Sequence, residues 1–233
     1  MSLSPELDAM WREERFEDLL SATKDSKAPA ELLLRYRVYA REGRTDEALL
    51  ATRKLLRTGA LEADDRAAAH ALVVELYGAR RCAPLVKRSY DEAVAAGGEG
   101  PALRLARALA HHALDERVEA RKLLEGVVAE ARTGRSTVAL AQVLYVLGHF
   151  DAAIAELEHV PKGDDSELAA IRLHAQVRGA QGQWDAEVKV LERLVLAGAK
   201  SDYHVHDRVS LAMTLATLDR LDDVKVQFEW LAA

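Results

Sequence analysis

The chain has 233 residues, 49% hydrophobic and 30% charged, with a formal net charge of −6. That composition is too apolar for a disordered chain, and one cysteine, Cys82, rules out an internal disulfide. The charge is uneven, −3 over residues 1–29, +3 over 30–135 and −6 over 136–233, without the concentrated basic face and stacking aromatics that nucleic acid requires.

The start of the chain, from Met1 to Asp8, shows no basic region followed by an apolar stretch. The longest apolar run, near 137–148, is interrupted by Gln142 and falls short of the roughly 20 residues that span a bilayer. A cytoplasmic protein with no membrane insertion is therefore expected. The excess of Arg over Lys, 23 to 9, and the absence of Asn read as the bias of a GC-rich bacterial genome.

Helical pairs are predicted at 4–13 and 16–24, 29–41 and 45–58, 64–78 and 82–96, 101–113 and 116–131, 136–147 and 150–159, 165–180 and 184–197, and 204–217 and 221–232. The second helices open at Phe16, Thr45, Cys82, Arg117, Phe150, Trp184 and Leu221, at intervals of 29, 37, 35, 33, 34 and 37 residues. Spacing centred near 34 residues is the mark of two-helix repeats, which bury their apolar faces only by stacking on neighbours. Gly43, Gly148 and Gly182 stand two residues before an opener, where a tight turn inside the hairpin needs them. Pro101, Pro161 and the polar stretch 162–166 separate hairpins, and Gly97, Gly98, Glu99 and Gly100 read as a flexible turn between repeats. The expectation is an all-α fold forming a single repeat domain over 1–233.

The run Ala141, Leu144, Gly148, Phe150, Ala153, Leu157 resembles the tetratricopeptide repeat (TPR) family, and Tyr39, Gly43, Ala48, Leu55 matches it in part. Elsewhere the pattern drifts: Arg178 stands where a large apolar residue is expected, and Glu187 replaces the usual Ala. The resemblance implies a right-handed superhelical solenoid of about seven antiparallel hairpins, whose first helices line a groove for a peptide or partner helix. Carried onto this chain, the groove positions include Arg37, Arg41, His70, Tyr77, His112, Gln142, Tyr145, Arg172 and Gln176, with Leu33, Val74, Leu105, Arg135, Val138, Val209 and Met213 beside them. One subclass of the family clamps a C-terminal carboxylate with Lys and Asn; a chain without Asn cannot build that clamp in its usual form.

Chemistry finds little purchase. His204, His206 and Asp207 have the look of metal ligands, but residues two apart diverge on a helix, as do the adjacent His111 and His112. Cys82 has no patterned His beside it and reads as a core thiol. No Gly-rich loop carries the Lys-Ser/Thr of a phosphate cradle. No catalytic residue, metal or cofactor is expected.

At the two ends, Met10 and Trp11 are expected to staple the first helix onto the second repeat, with the acidic residues of that helix forming a solvated cap. Phe228, Trp230 and Leu231 on the last helix want cover, from the neighbouring repeat, from a partner or second copy, or from further chain. The sequence thus points to a non-catalytic scaffold or adaptor whose partner is another protein or peptide, with a homodimer through the C-terminal helix as one form of self-association. The alternatives are a chaperone or assembly factor for a secretion, motility or envelope complex, and a domain sensing a peptide or small ligand.

Overall fold

The computed structural model describes residues 4–59, 61–97 and 100–232. Among them are fourteen helices and no strand: α1 (Pro5–Arg12), α2 (Phe16–Ala22), α3 (Pro29–Arg41), α4 (Thr45–Arg57), α5 (Ala63–Ala79), α6 (Ala83–Gly97), α7 (Pro101–Ala113), α8 (Arg117–Glu130), α9 (Gly134–Val146), α10 (Phe150–Leu157), α11 (Glu167–Ala180), α12 (Trp184–Ala197), α13 (His204–Thr217) and α14 (Leu221–Ala232). The predicted pairs are all present, with ends shifted by a few residues. α9 starts two residues early because Thr133 caps it: its Oγ1 accepts the Ser136 N–H at 3.1 Å while the Ser136 Oγ accepts the Thr133 N–H at 3.0 Å. Of the glycine-rich turn, Gly98 and Glu99 lie outside the described residues, as do Met1 to Leu3 and Ala233.

One device recurs inside the hairpins. The residue two before each second helix adopts a left-handed conformation: Gly43, Gly148 and Gly182 at φ 75°, 79° and 71°, and Glu14, Arg81, Asp115 and Asp219 between 54° and 67°. The following N–H reaches back to a carbonyl five residues earlier, as in Arg44 to Tyr39 at 2.8 Å, Glu116 to His111 at 2.9 Å and Arg220 to Leu215 at 3.0 Å. This is the Schellman closure, which satisfies carbonyls the helix end leaves open. Glycine adopts it without strain; the four other residues bear about 1 kcal/mol each.

The chain divides into two compact units, residues 1–8 with 18–132, and residues 9–17 with 133–233. In the first unit the core gathers on α5, which is buried around most of its circumference at Ala71, Leu72, Val73, Val74, Leu76, Tyr77 and Gly78. Gly78 lets α7 approach so closely that a Cβ there would stand 2.6 Å from the Ala110 Cα. In the second unit Leu168, Ile171, Ala175, Val188, Leu191, Leu194, Leu211 and Leu215 form the core of α11 to α13. The near-consensus stretch behaves as its pattern requires, with Ala141, Leu144, Ala153 and Leu157 all buried. Cys82 is a half-buried free thiol just ahead of α6.

Candidate functional site

Within the first unit, Arg37 is half-buried and Arg41 exposed on α3, and both carry interactions. Tyr77 is only 5% exposed, and its hydroxyl accepts a hydrogen bond from Arg53 Nη1 on α4. Val74 and Leu105 are likewise buried. The projection assumes that every first helix shows the same face outward; α5, covered on several sides, does not. His112 is half-buried, and burial, helped by the nearby Arg117, lowers its pKa. His70 lines a cleft of about 440 Å³ bordered by α4, α5 and α6, and burial lowers its pKa too, with Glu92 opposing.

In the second unit, Gln142 is half-buried and Gln176 exposed. Tyr145 packs on Phe150 with ring centroids 6.0 Å apart. Arg172 is engaged inside the fold. Its Nε and Nη2 donate to the two carboxylate oxygens of Asp207 at 2.7 and 2.9 Å, and its Nη1 and Nη2 donate to those of Glu14 at 2.9 and 2.6 Å. Burial alone would lower the arginine's pKa, but the bonds to Asp207 and Glu14 more than offset it and raise the value. The Ser201 hydroxyl donates to Glu14 Oε2 at 3.0 Å, and the guanidinium lies 5.1 Å from the Tyr203 ring centre.

These contacts correct the reading of the chain's start. Glu14, just past the first helix, is 4% exposed and Asp207 1%, so both carboxylates are held inside the fold. Trp11 packs on Phe16, and Phe16 on Tyr203, so the turn between α1 and α2 is stapled onto the segment before α13. Asp202 fixes it further, accepting the N–H groups of Phe16 and Glu17 at 2.6 and 3.0 Å. The physical reason is charge: a half-buried arginine inside the fold needs carboxylates, and Glu14 and Asp207 supply them. Sequence reading missed Glu14, Ser201 and Asp202 because partners up to 187 positions apart leave no local pattern.

The histidine pair before α13's core behaves as helix geometry requires. His204 is buried with its ring 4.7 Å from that of Trp230, whereas His206 is exposed and Asp207 faces Arg172. Among the described residues no group of three or more His, Cys, Asp or Glu could hold a metal ion, and no helix is long and apolar enough to cross a membrane. On α14, Phe228 is 57% and Trp230 44% exposed, Leu231 is half-buried, and no residue of the helix is fully buried. Trp230 nonetheless lies beneath Arg208, 3.9 Å from its ring centre.

Neither a family model nor a curated protein matches the sequence. Solved structures do match. A tetratricopeptide repeat protein from Parabacteroides merdae aligns at a TM-score of 0.63 and 16% identity, covering 90% of this chain and 83% of that one. The fold is TPR-like. A second match, the APC/C hetero-tetramer Cut9-Hcn1, aligns at a TM-score of 0.60 and 12% identity over 91% of this chain, which spans 42% of that one. At these identities the likeness speaks for the helical-repeat fold. Within that TPR-like fold, the outward row on α13 is apolar: Val205, Val209 and Met213, one helical turn apart, are 57%, 37% and 68% exposed.

Proposed function

We propose that the protein is a non-catalytic interaction scaffold that holds a peptide or helix of a protein partner against the first helices of its C-terminal unit. The observation that carries this reading is the exposed row Val205, Val209 and Met213 on α13. Large apolar side chains repeated on one open helix face mark interaction surfaces, and helices recognised in this way present anchors at matching intervals. Exposed Gln176 on α11 and half-buried Gln142 and Tyr145 on α9 supply hydrogen-bonding groups to the same set of first helices. The TPR-like fold supports the reading, since stacked hairpins offer extended binding surfaces. Arg172, occupied by Glu14 and Asp207, acts here as a positioning residue for α13 and contacts no partner.

The test is capture of partners from native extract on immobilised protein beside a Val209→Glu/Met213→Glu variant, with both preparations checked for equal helicity. These side chains are exposed, so the variant keeps its fold. A protein enriched by the wild type and lost with the variant is the expected result. Equal enrichment by both would contradict the assigned face.

A further inference from the structure

Elsewhere in the N-terminal unit, several arginines are matched with acids. Arg44 pairs with Glu42 and Glu47, Arg80 with Asp46, Arg88 with Glu92, and Arg121 with Glu125. Three arginines without such a partner, Arg53, Arg57 and Arg66, converge on the 440 Å³ cleft bordered by α4, α5 and α6. Arg53 and Arg57 stand one turn apart on α4, and Arg66 rises from the first turn of α5. Arg53 donates to the Tyr77 hydroxyl and Arg66 to the Leu61 carbonyl at 2.8 Å, both neutral acceptors. Among the described residues no carboxylate pairs with any of the three.

We propose that this cleft is a second binding site, one that takes an acidic peptide segment through paired guanidinium–carboxylate contacts. For its ligand class the inference rests on the scaffold reading. Its residues lie outside the α13 row, so the two can fail separately. Guanidinium groups prefer carboxylates because their planar fork donates two parallel hydrogen bonds. Three of them lining one opening, with no acid of their own, leave positive charge that a partner's carboxylates would neutralise. Leu56 and Val73 also line the cleft, and an aliphatic lining of that kind suits a peptide better than a bare inorganic anion. Glu92 lies at the same opening, but its Oε1 accepts the Arg88 Nε–H at 2.9 Å, so a cation outside the cleft holds its charge. His70, the remaining titratable group there, is kept towards its neutral form by burial and adds a hydrogen-bonding ring without further repulsion.

The experiment is fluorescence anisotropy on the full chain at about 0.15 M salt, where loosely held surface ions are screened. The probe is a fluorescein-labelled Leu-Glu-Glu-Leu-Glu-Glu hexapeptide. Wild type is compared with Arg57→Glu/Arg66→Glu, with Arg57→Gln, and with the charge-matched control Lys24→Glu/Lys122→Glu, whose lysines lie outside the cleft. The expected result is saturable binding to wild type and control, at least tenfold weaker in the double cleft variant and several-fold weaker in Arg57→Gln. No saturable binding, equal loss in the control, or unchanged affinity in Arg57→Gln would each overturn the proposal. Inorganic phosphate that binds while the peptide does not would overturn it in favour of a simple anion site. If the proposal falls while Val209→Glu/Met213→Glu still abolishes capture from extract, the scaffold reading stands without this second site.

Discussion

Arg172 of α11 donates to both carboxylate oxygens of Glu14, a residue 158 positions earlier in the chain, at 2.9 and 2.6 Å. Glu14 sits at the left-handed turn between α1 and α2, with φ at 55°, and its carboxylate is also bonded by Ser201. A strained, buried acid is thus held by an arginine that itself needs two acids. Removing one member leaves the others desolvated and unpaired, which in buried pairs costs about 3–5 kcal/mol. Arg172→Met should therefore destabilise the C-terminal unit by about 3 kcal/mol in urea unfolding. Replacing all three charges, as Glu14→Gln/Arg172→Met/Asp207→Asn, should recover part of that loss. Losses that simply add would show that the groups are independent.

Two helix glycines give opposite expectations. At Gly78 a methyl group would meet Ala110 at 2.6 Å, so Gly78→Ala must push α5 from α7 and lose about 1–3 kcal/mol. At Gly126, in α8, nothing lies within 4 Å, so Gly126→Ala should gain close to 1 kcal/mol from helix propensity. Thermal unfolding of the two single variants reads both signs at once.

Glu187 of α12 stands where the repeat pattern has Ala. Its carboxylate faces Gly179, where an added Cβ would meet Oε2 at 2.8 Å, and that oxygen is buried without a hydrogen-bond partner. Burial raises its pKa, with the Thr214 hydroxyl partly opposing. A carboxyl with a raised folded pKa disfavours folding as pH climbs past its unfolded value of 4.5. Glu187→Ala should therefore stabilise the fold at pH 7 by on the order of 1 kcal/mol, read as a raised melting temperature, and the gain should shrink near pH 4.

The buried and half-buried histidines predict the reverse dependence. His70, His112, His174 and His204 all have pKa values lowered from 6.5, burial being the largest cause in each. The unfolded chain takes up protons near pH 6.5 while the folded chain resists, so stability is full above that value and declines as pH falls below it. His174 is the clearest case. Its Nε2 accepts the Arg178 Nε–H at 3.2 Å, and Arg178 and Arg193 both disfavour its protonation, against Glu158. Between pH 7.5 and 5.5 the melting temperature should fall, and His174→Gln should flatten part of that slope.

The fold was legible because hairpin turns leave local marks. Gly43, Gly148 and Gly182 announce left-handed turns by composition, whereas the spacing of the openers marked the other hairpins only approximately: α6 opens at Ala83, one residue after Cys82, and its turn residue Arg81, like Asp115 and Asp219, carries no glycine signal. The exposure of the projected groove positions was legible only where a first helix shows one face to solvent, as at Gln176, Val209 and Met213. Tyr77 escaped that logic because α5 is enclosed, and the one local hint is Gly78, a small residue where α7 comes close. Arg172 escaped it because its partners come from a distant turn, a relationship fixed by three-dimensional charge balance.

The scaffold reading is tested most directly by amide hydrogen exchange on the full chain, free and bound to the partner captured from extract. Binding along the first helices predicts slowed exchange in α13 and in α9 or α11, with the second helices α10 and α12 unchanged. Protection confined to α10 and α12 would contradict the account and move the interaction surface to the second helices.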